Sequence, residues 1–231
     1  HRRYLESLDG QKLFFTQADI ARFQGYAAGH DAAIKQQQLD PAYDIFTTYV
    51  KRVDQRVAFA RQLLAKPFDF SSEETWAYDR EDAPWAASRA ELDELWRKRV
   101  KNDALSLLLA DKTWPEARDV LQKRYERAAK RGEQITSDDV FELFMNSFAR
   151  VFDPHSGYFS PRNSEEYRIQ MSLSYEGIGA SLQIIDDYVT IMDIIPGGSA
   201  QRNGGLKATD RIIAVGQGKS GEMVDVVGWR L

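Results

Sequence analysis

The sequence predicts an α+β protein: a mostly helical N-terminal domain followed by a smaller antiparallel β domain. Three observations predict it. Over most of the first 172 residues, apolar side chains recur at three- and four-residue steps, the period of a helix with one buried face. Beyond that point the period shortens, and β-branched runs such as Val189-Thr190-Ile191-Met192 and Ile212-Ile213-Ala214-Val215 stand between turn residues. Shortly before the change, Asp153-Pro154-His155-Ser156-Gly157-Tyr158-Phe159-Ser160-Pro161 brings two prolines and a glycine together, a stretch that breaks helical continuity. The expected domains are residues 1–172 and 173–231.

The N-terminus, His1-Arg2-Arg3-Tyr4-Leu5-Glu6, has neither a starting Met nor an apolar leader and reads as the interior of an amphipathic segment, so a piece of a longer chain is expected. Asp40 is positioned to cap a helix with Pro41 in its first turn. In that helix Ala42, Ile45, Phe46, Tyr49, Val50, Val53, Val57, Ala60 and Leu64 share a face, with Lys51, Arg52, Gln55 and Arg56 expected opposite. A second helix carries Leu92, Leu95, Trp96, Val100, Leu105, Leu108 and Leu109. A third starts at Thr113-Trp114-Pro115-Glu116, which has capping-box spacing, and continues through Val120, Leu121 and Tyr125. A fourth starts near Thr136 or Ser137, with Phe141, Phe144, Met145, Phe148 and Phe152 expected inward. Pro67 to Pro84 has no clear period and reads as a long connection; Arg162 to Met171 reads as one more short helix. The paired acids Glu73-Glu74 and Asp138-Asp139 suit helix starts, where the dipole favours carboxylates.

The β region opens on Tyr175-Glu176-Gly177-Ile178-Gly179-Ala180, a glycine-flanked turn running into the alternating strand Ser181-Leu182-Gln183-Ile184. Glycine lets such a turn present its N–H groups outward without a Cβ clash. Successive outward N–H groups form a pocket for an anion, and a strand starting there can take a peptide as an added strand and hold its terminal carboxylate. The turn is not a dinucleotide fingerprint, because Leu182 stands where the third glycine would be. Nor does a helix follow it, as phosphate cradling would require.

Composition narrows the function further. Across 231 residues the formal net charge is −4, with Lys and Arg interspersed among Asp and Glu, so no basic stripe for nucleic acid is expected. No apolar run approaches the ~20 residues of a membrane span. Cysteine is absent, which removes disulfides and thiolate metal sites. The three histidines, His1, His30 and His155, have no metal-binding spacing, and no cofactor is expected. His155 reads as a turn residue. The serines and lysines sit on polar faces or in turns, Lys219-Ser220 among them, so no nucleophile and base pair is assigned.

Glycine turn, strand, hairpin and strand are followed by Ile195-Pro196-Gly197-Gly198-Ser199-Ala200 opening a short helix. Gly205-Leu206 and Asp210-Arg211-Ile212-Ile213-Ala214-Val215-Gly216 come next. The order resembles PDZ domains over residues 173–231. The resemblance implies that the N–H groups of Ile178, Gly179 and Ala180, on the loop from Gly177, bind a peptide carboxylate, and that Leu182 and Ile184 line the groove. Ala180 stands where eukaryotic PDZ domains commonly carry Phe, which implies a roomier pocket. Upstream, Tyr4-Leu5-Glu6-Ser7-Leu8-Asp9, Phe14-Phe15-Thr16-Gln17-Ala18-Asp19-Ile20 and the Asp153–Asn163 stretch are similar to carboxy-terminal processing peptidases, most closely the tail-specific protease branch. Glu176-Gly177-Ile178-Gly179-Ala180 and Val224-Asp225-Val226-Val227-Gly228-Trp229-Arg230-Leu231 fit that branch too. That family implies a periplasmic endopeptidase with a serine nucleophile and a lysine base, reading the C-terminal tails of protein substrates. It implies a partial PDZ domain here, with its second groove wall and the catalytic core beyond Leu231. An adaptor protein as partner, and association with the inner-membrane surface, stay open. The alternative is a non-catalytic PDZ adaptor or scaffold binding protein C-termini.

Overall fold

The structure, a computed structural model, describes residues 2–26, 39–172, 177–216, 218 and 221–229. It divides into two compact units, His1–Ser160 and Pro161–Leu231. The first unit holds α1 (Arg2–Leu8), α2 (Gln17–Gln24), α3 (Asp40–Leu63), α4 (Arg89–Leu108), α5 (Trp114–Glu133) and α6 (Ser137–Phe152). The helix expected near Arg162–Met171 forms as α7 (Pro161–Ser172) and groups with the second unit.

The helices start where side chains can satisfy orphan N–H groups. Thr16 with Asp19, Thr113 with Glu116 and Thr136 with Asp139 each form a reciprocal capping box, and Ser88 accepts from the N–H of Glu91. Each cap contributes about 1 kcal/mol. The expected cap at Asp40 is not made: Leu39 takes that position, and Asp40 lies in the first turn, where its charge meets the positive end of the helix dipole.

α3 is the spine, with α1, α4, α5 and α6 all packed on it. One core cluster joins Val53, Val57, Ala60 and Leu64 to Trp96, Val100 and Ala104 of α4 and to Leu121 and Tyr125 of α5. A second joins Tyr4 and Leu5 to Phe15, Phe23, Ile45 and Phe144. Burying each large apolar side chain contributes roughly 1.5–3 kcal/mol.

Several expected faces turn out differently. Arg56, expected on the polar face, is 2 % exposed and pairs with Asp93 of α4. Leu105 and Leu109 point outward, and Ala104 takes the inward place, because the buried stripe of α4 narrows toward its end. Phe148 and Phe152 meet edge-to-face at 5.2 Å but are 38 % and 77 % exposed, since among the described residues α6 runs on past its packing partners. Glu73-Glu74 start no helix. They lie in the irregular 64–88 connection, where Glu74 bridges to Arg97 and Lys101 of α4.

In the second unit, β1 (Ala180–Ile185), β2 (Tyr188–Ile194) and β3 (Arg211–Ile212) form an antiparallel sheet in the order β1-β2-β3. β4 (Ala214–Val215) pairs with β5 (Val224–Asp225) in a separate ribbon. Asp186 and Asp187, at φ +50 and +67, close the β1-β2 hairpin; two consecutive positive-φ residues match the twist of a two-residue hairpin turn. Ser181 pairs with Asp193 but Leu182 with Ile191, leaving Met192 as the extra residue of a bulge. α8 (Ser199–Asn203) ends at Gly204 in the left-handed conformation that terminates helices.

Candidate functional site

The glycine turn and strand β1 make the site. Gly179 has φ +75, a conformation strained for any residue with a Cβ. Space also demands glycine there: a Cβ would come within 2.7 Å of the Ser199 nitrogen and 2.9 Å of the Gly198 Cα. The Ile178 carbonyl accepts from the Ala200 N–H at 2.7 Å, and the Gly179 carbonyl from the Ile195 N–H at 2.9 Å. A trans peptide unit sets its N–H opposite its C=O. Turning these two carbonyls toward the 195–200 segment therefore turns the N–H groups of Gly179 and Ala180 the other way. No described residue accepts from the N–H of Ile178 or Gly179.

Exposure grades along the loop. Gly177 and Ile178 are exposed, Gly179 is half-buried and Ala180 is buried. Leu182 is half-buried and Ile184 exposed, on the face where their cross-strand partners Ile191 and Val189 are buried. β1 thus presents apolar side chains on one face, and among the described residues its far edge has no strand beside it. Outward N–H groups at the head of a free strand edge suit an extended chain ending in a carboxylate. The structure brings Gly177, Ile178, Gly179 and Ala180 into one loop and places Leu182 and Ile184 on the strand leaving it. Tyr175, Glu176, His30, Lys219, Ser220, Arg230 and Leu231 lie outside the described residues.

The Asp153–Pro161 stretch has a structural role. Asp153 accepts from the His155 N–H at 3.1 Å and the Ser156 hydroxyl at 2.7 Å. The Ser156 bond holds the Asp153 carboxyl below its usual value. Asn146 of α6 clamps Tyr158 through both its N–H and its carbonyl, and Phe141 meets the Tyr158 ring edge-on at 5.2 Å.

Two lysines expected on polar faces are buried. Lys12 donates to the Gly10 carbonyl and lies 4.8 Å from the Trp85 ring centre. Lys101 donates to Ser72 Oγ at 3.1 Å and to Glu74 at 3.3 Å. Although this brings a lysine to a serine, the Ser72 hydroxyl donates to Glu74 at 3.1 Å. A general base must instead accept the serine proton. The three residues form an ion-pair network pinning the 64–88 connection. Among the described residues no group of His, Asp or Glu is placed to hold a metal ion, and no helix is long and apolar enough to cross a membrane.

A helical domain followed in sequence by a β unit with a glycine loop at the head of an edge strand defines a PDZ-bearing protein. The PDZ domain family model matches residues 166–231, and the model described as the tail specific protease N-terminal domain matches residues 1–162. The chain belongs to the tail-specific protease N-terminal domain family. It is 40 % identical over 230 residues to the tail-specific protease of Haemophilus influenzae, covering 99 % of this chain and 33 % of that protein. It is 34 % identical over 104 residues to the carboxy-terminal processing protease CtpA of Bacillus subtilis, covering 44 % of this chain and 22 % of that one. Among solved structures, the PDZ domain of the carboxy-terminal protease from Vibrio cholerae, in complex with a peptide, is 52 % identical. That match covers 23 % of this chain and 54 % of the other, with a TM-score of 0.23. The chain spans about a third of the first relative's length and about a fifth of the second's.

Proposed function

We propose that this chain is the substrate-reading part of a tail-specific serine endopeptidase. Its PDZ unit captures a substrate's C-terminal carboxylate on the Gly177–Ala180 loop and takes the tail as a strand beside β1, over Leu182 and Ile184. The observation that carries the reading is the pair of inward carbonyls at Ile178 and Gly179, which aims the adjoining N–H groups at the free edge. Family membership and the two curated protease relatives support the proteolytic role. In this reading the serine nucleophile and lysine base lie outside residues 1–231, and the protein works in the bacterial periplasm, a placement that rests on the family resemblance alone.

The test uses the full-length protein. Cleavage of an unfolded substrate with a free apolar C-terminus is timed against the same substrate with its C-terminus amidated. Selective loss of cleavage on amidation supports carboxylate capture; equal rates overturn it. Cell fractionation tests the location.

A further inference from the structure

The glycine loop does not set its own shape. Both of its inward carbonyls are held by one neighbouring turn, through the N–H groups of Ile195 and Ala200. That turn is closed by the Gly198 N–H donating to the Ile195 carbonyl at 2.9 Å. Gly198 also lies directly against the loop. A Cβ on Gly198 would come within 3.0 Å of the Gly179 Cα and 3.3 Å of the Gly179 carbonyl oxygen. The two backbones touch where neither residue has a side chain, and a methyl on either one has to push the other away.

The turn is in turn fixed from α8. Gln201 Oε1 accepts from the Gly197 N–H at 2.6 Å, and Arg202 Nη1 donates to the Gly197 carbonyl at 2.8 Å. Both polar groups of the Gly197 backbone are thus held by exposed side chains one helical turn further on.

We propose that Gly198 is a positioning residue for carboxylate capture, with Gln201 the side chain that fixes its turn. The inference rests on the peptide-carboxylate reading of the loop and adds that the direction of its N–H groups is imposed from outside it. Gly198 sets how closely the 195–200 turn approaches, that approach sets where the carbonyls of Ile178 and Gly179 point, and the carbonyls set the opposed N–H groups. A hydrogen bond to a charged group is steep in geometry and weakens sharply off line. A small displacement of the turn therefore costs the carboxylate while leaving the strand edge of β1 able to pair.

The readout is the ratio of free-acid to amidated substrate cleavage in full-length wild type, Gly198→Ala and Gln201→Ala. A residue needed only for folding slows both substrates alike and leaves the ratio intact. The expected result is a ratio lowered about tenfold in Gly198→Ala, the size of one lost charge-assisted hydrogen bond, and lowered less in Gln201→Ala. A wild type that discriminates together with variants that discriminate equally well overturns the positioning role and spares the loop assignment. A wild type that does not discriminate overturns both. If Gly198→Ala does not fold, Gln201→Ala decides: its side chain is exposed, and an unchanged ratio there overturns the proposal.

Discussion

The indole N–H of Trp85 donates to Oδ2 of Asp9 at 3.1 Å, joining two points 76 residues apart. The same carboxylate accepts from the N–H groups of Leu13, Phe14 and Phe15, so one 2 %-exposed side chain organises the turn between α1 and α2 and moors the end of the 64–88 connection to it. Asp9→Asn puts an amide NH₂ against at least one of these donors. The expected loss is about 2–3 kcal/mol, checked by chemical denaturation of the chain.

Arg56 and Asp93 give a second, asymmetric prediction. Arg56 is buried, its ring neighbour is Phe59, and its Nε has no hydrogen-bond partner among the described residues. Asp93→Ala leaves that guanidinium buried without its counter-charge and is expected to cost about 3 kcal/mol. Arg56→Met removes the charge and its unmet donor while keeping apolar bulk, and is expected to cost less than half as much. Denaturation midpoints of the two variants, compared side by side, settle the order.

Acid should loosen the 64–88 connection. The hydrogen bond from Arg97 holds the Glu74 carboxyl down at about 2, from an ordinary 4.5. A depressed carboxyl stabilises the fold above its ordinary value and loses that contribution as pH falls from 4.5 toward 2. Backbone protection factors across residues 67–84, each exchange rate compared with the intrinsic rate at the same pH, should therefore fall over that interval in wild type. Glu74→Gln should show low protection already at pH 7 and little further loss on acidification; a parallel fall in both would sink the assignment.

The groove is tested by Ile184→Asp. Ile184 is 41 % exposed but lies inside β1, paired with buried Val189, so the substitution should cost about 1 kcal/mol of stability. Placing a carboxylate beside an apolar tail should weaken peptide binding roughly tenfold. Fluorescence anisotropy of the full-length protein with an apolar-tailed peptide and a thermal melt on the same sample separate the two effects.

The helical periods, the capping box at Thr113, the helix start near Thr136 and the glycine loop were legible in the sequence because each is local: a repeat, a spacing, a dipeptide. What escaped depends on distant partners. Arg56 sits at a polar position of its helix and is buried only because Asp93 faces it. Phe148 and Phe152 continue an apolar stripe past the point where the described residues of the helical unit cover it, and a stripe carries no mark of where its partner stops. Gly198 was visible as part of a Pro-Gly-Gly turn opening a helix. Its contact with Gly179 appears only once the hairpin folds back, since nothing in either glycine's surroundings names the other.

The edge of β1, which has no strand beside it among the described residues, also bears on pairing between copies of the chain. A row of unpaired N–H and C=O groups is a template that any extended chain can extend, and long flat edges seed sheet-to-sheet aggregation. This edge spans six residues, its hairpin is bulged at Met192, and it closes through two left-handed aspartates. A short, bulged edge with acidic side chains at its tip has the features by which edge strands limit pairing with a second such edge. The geometry proposed to seat a single guest strand thus works against edge-to-edge pairing of two copies.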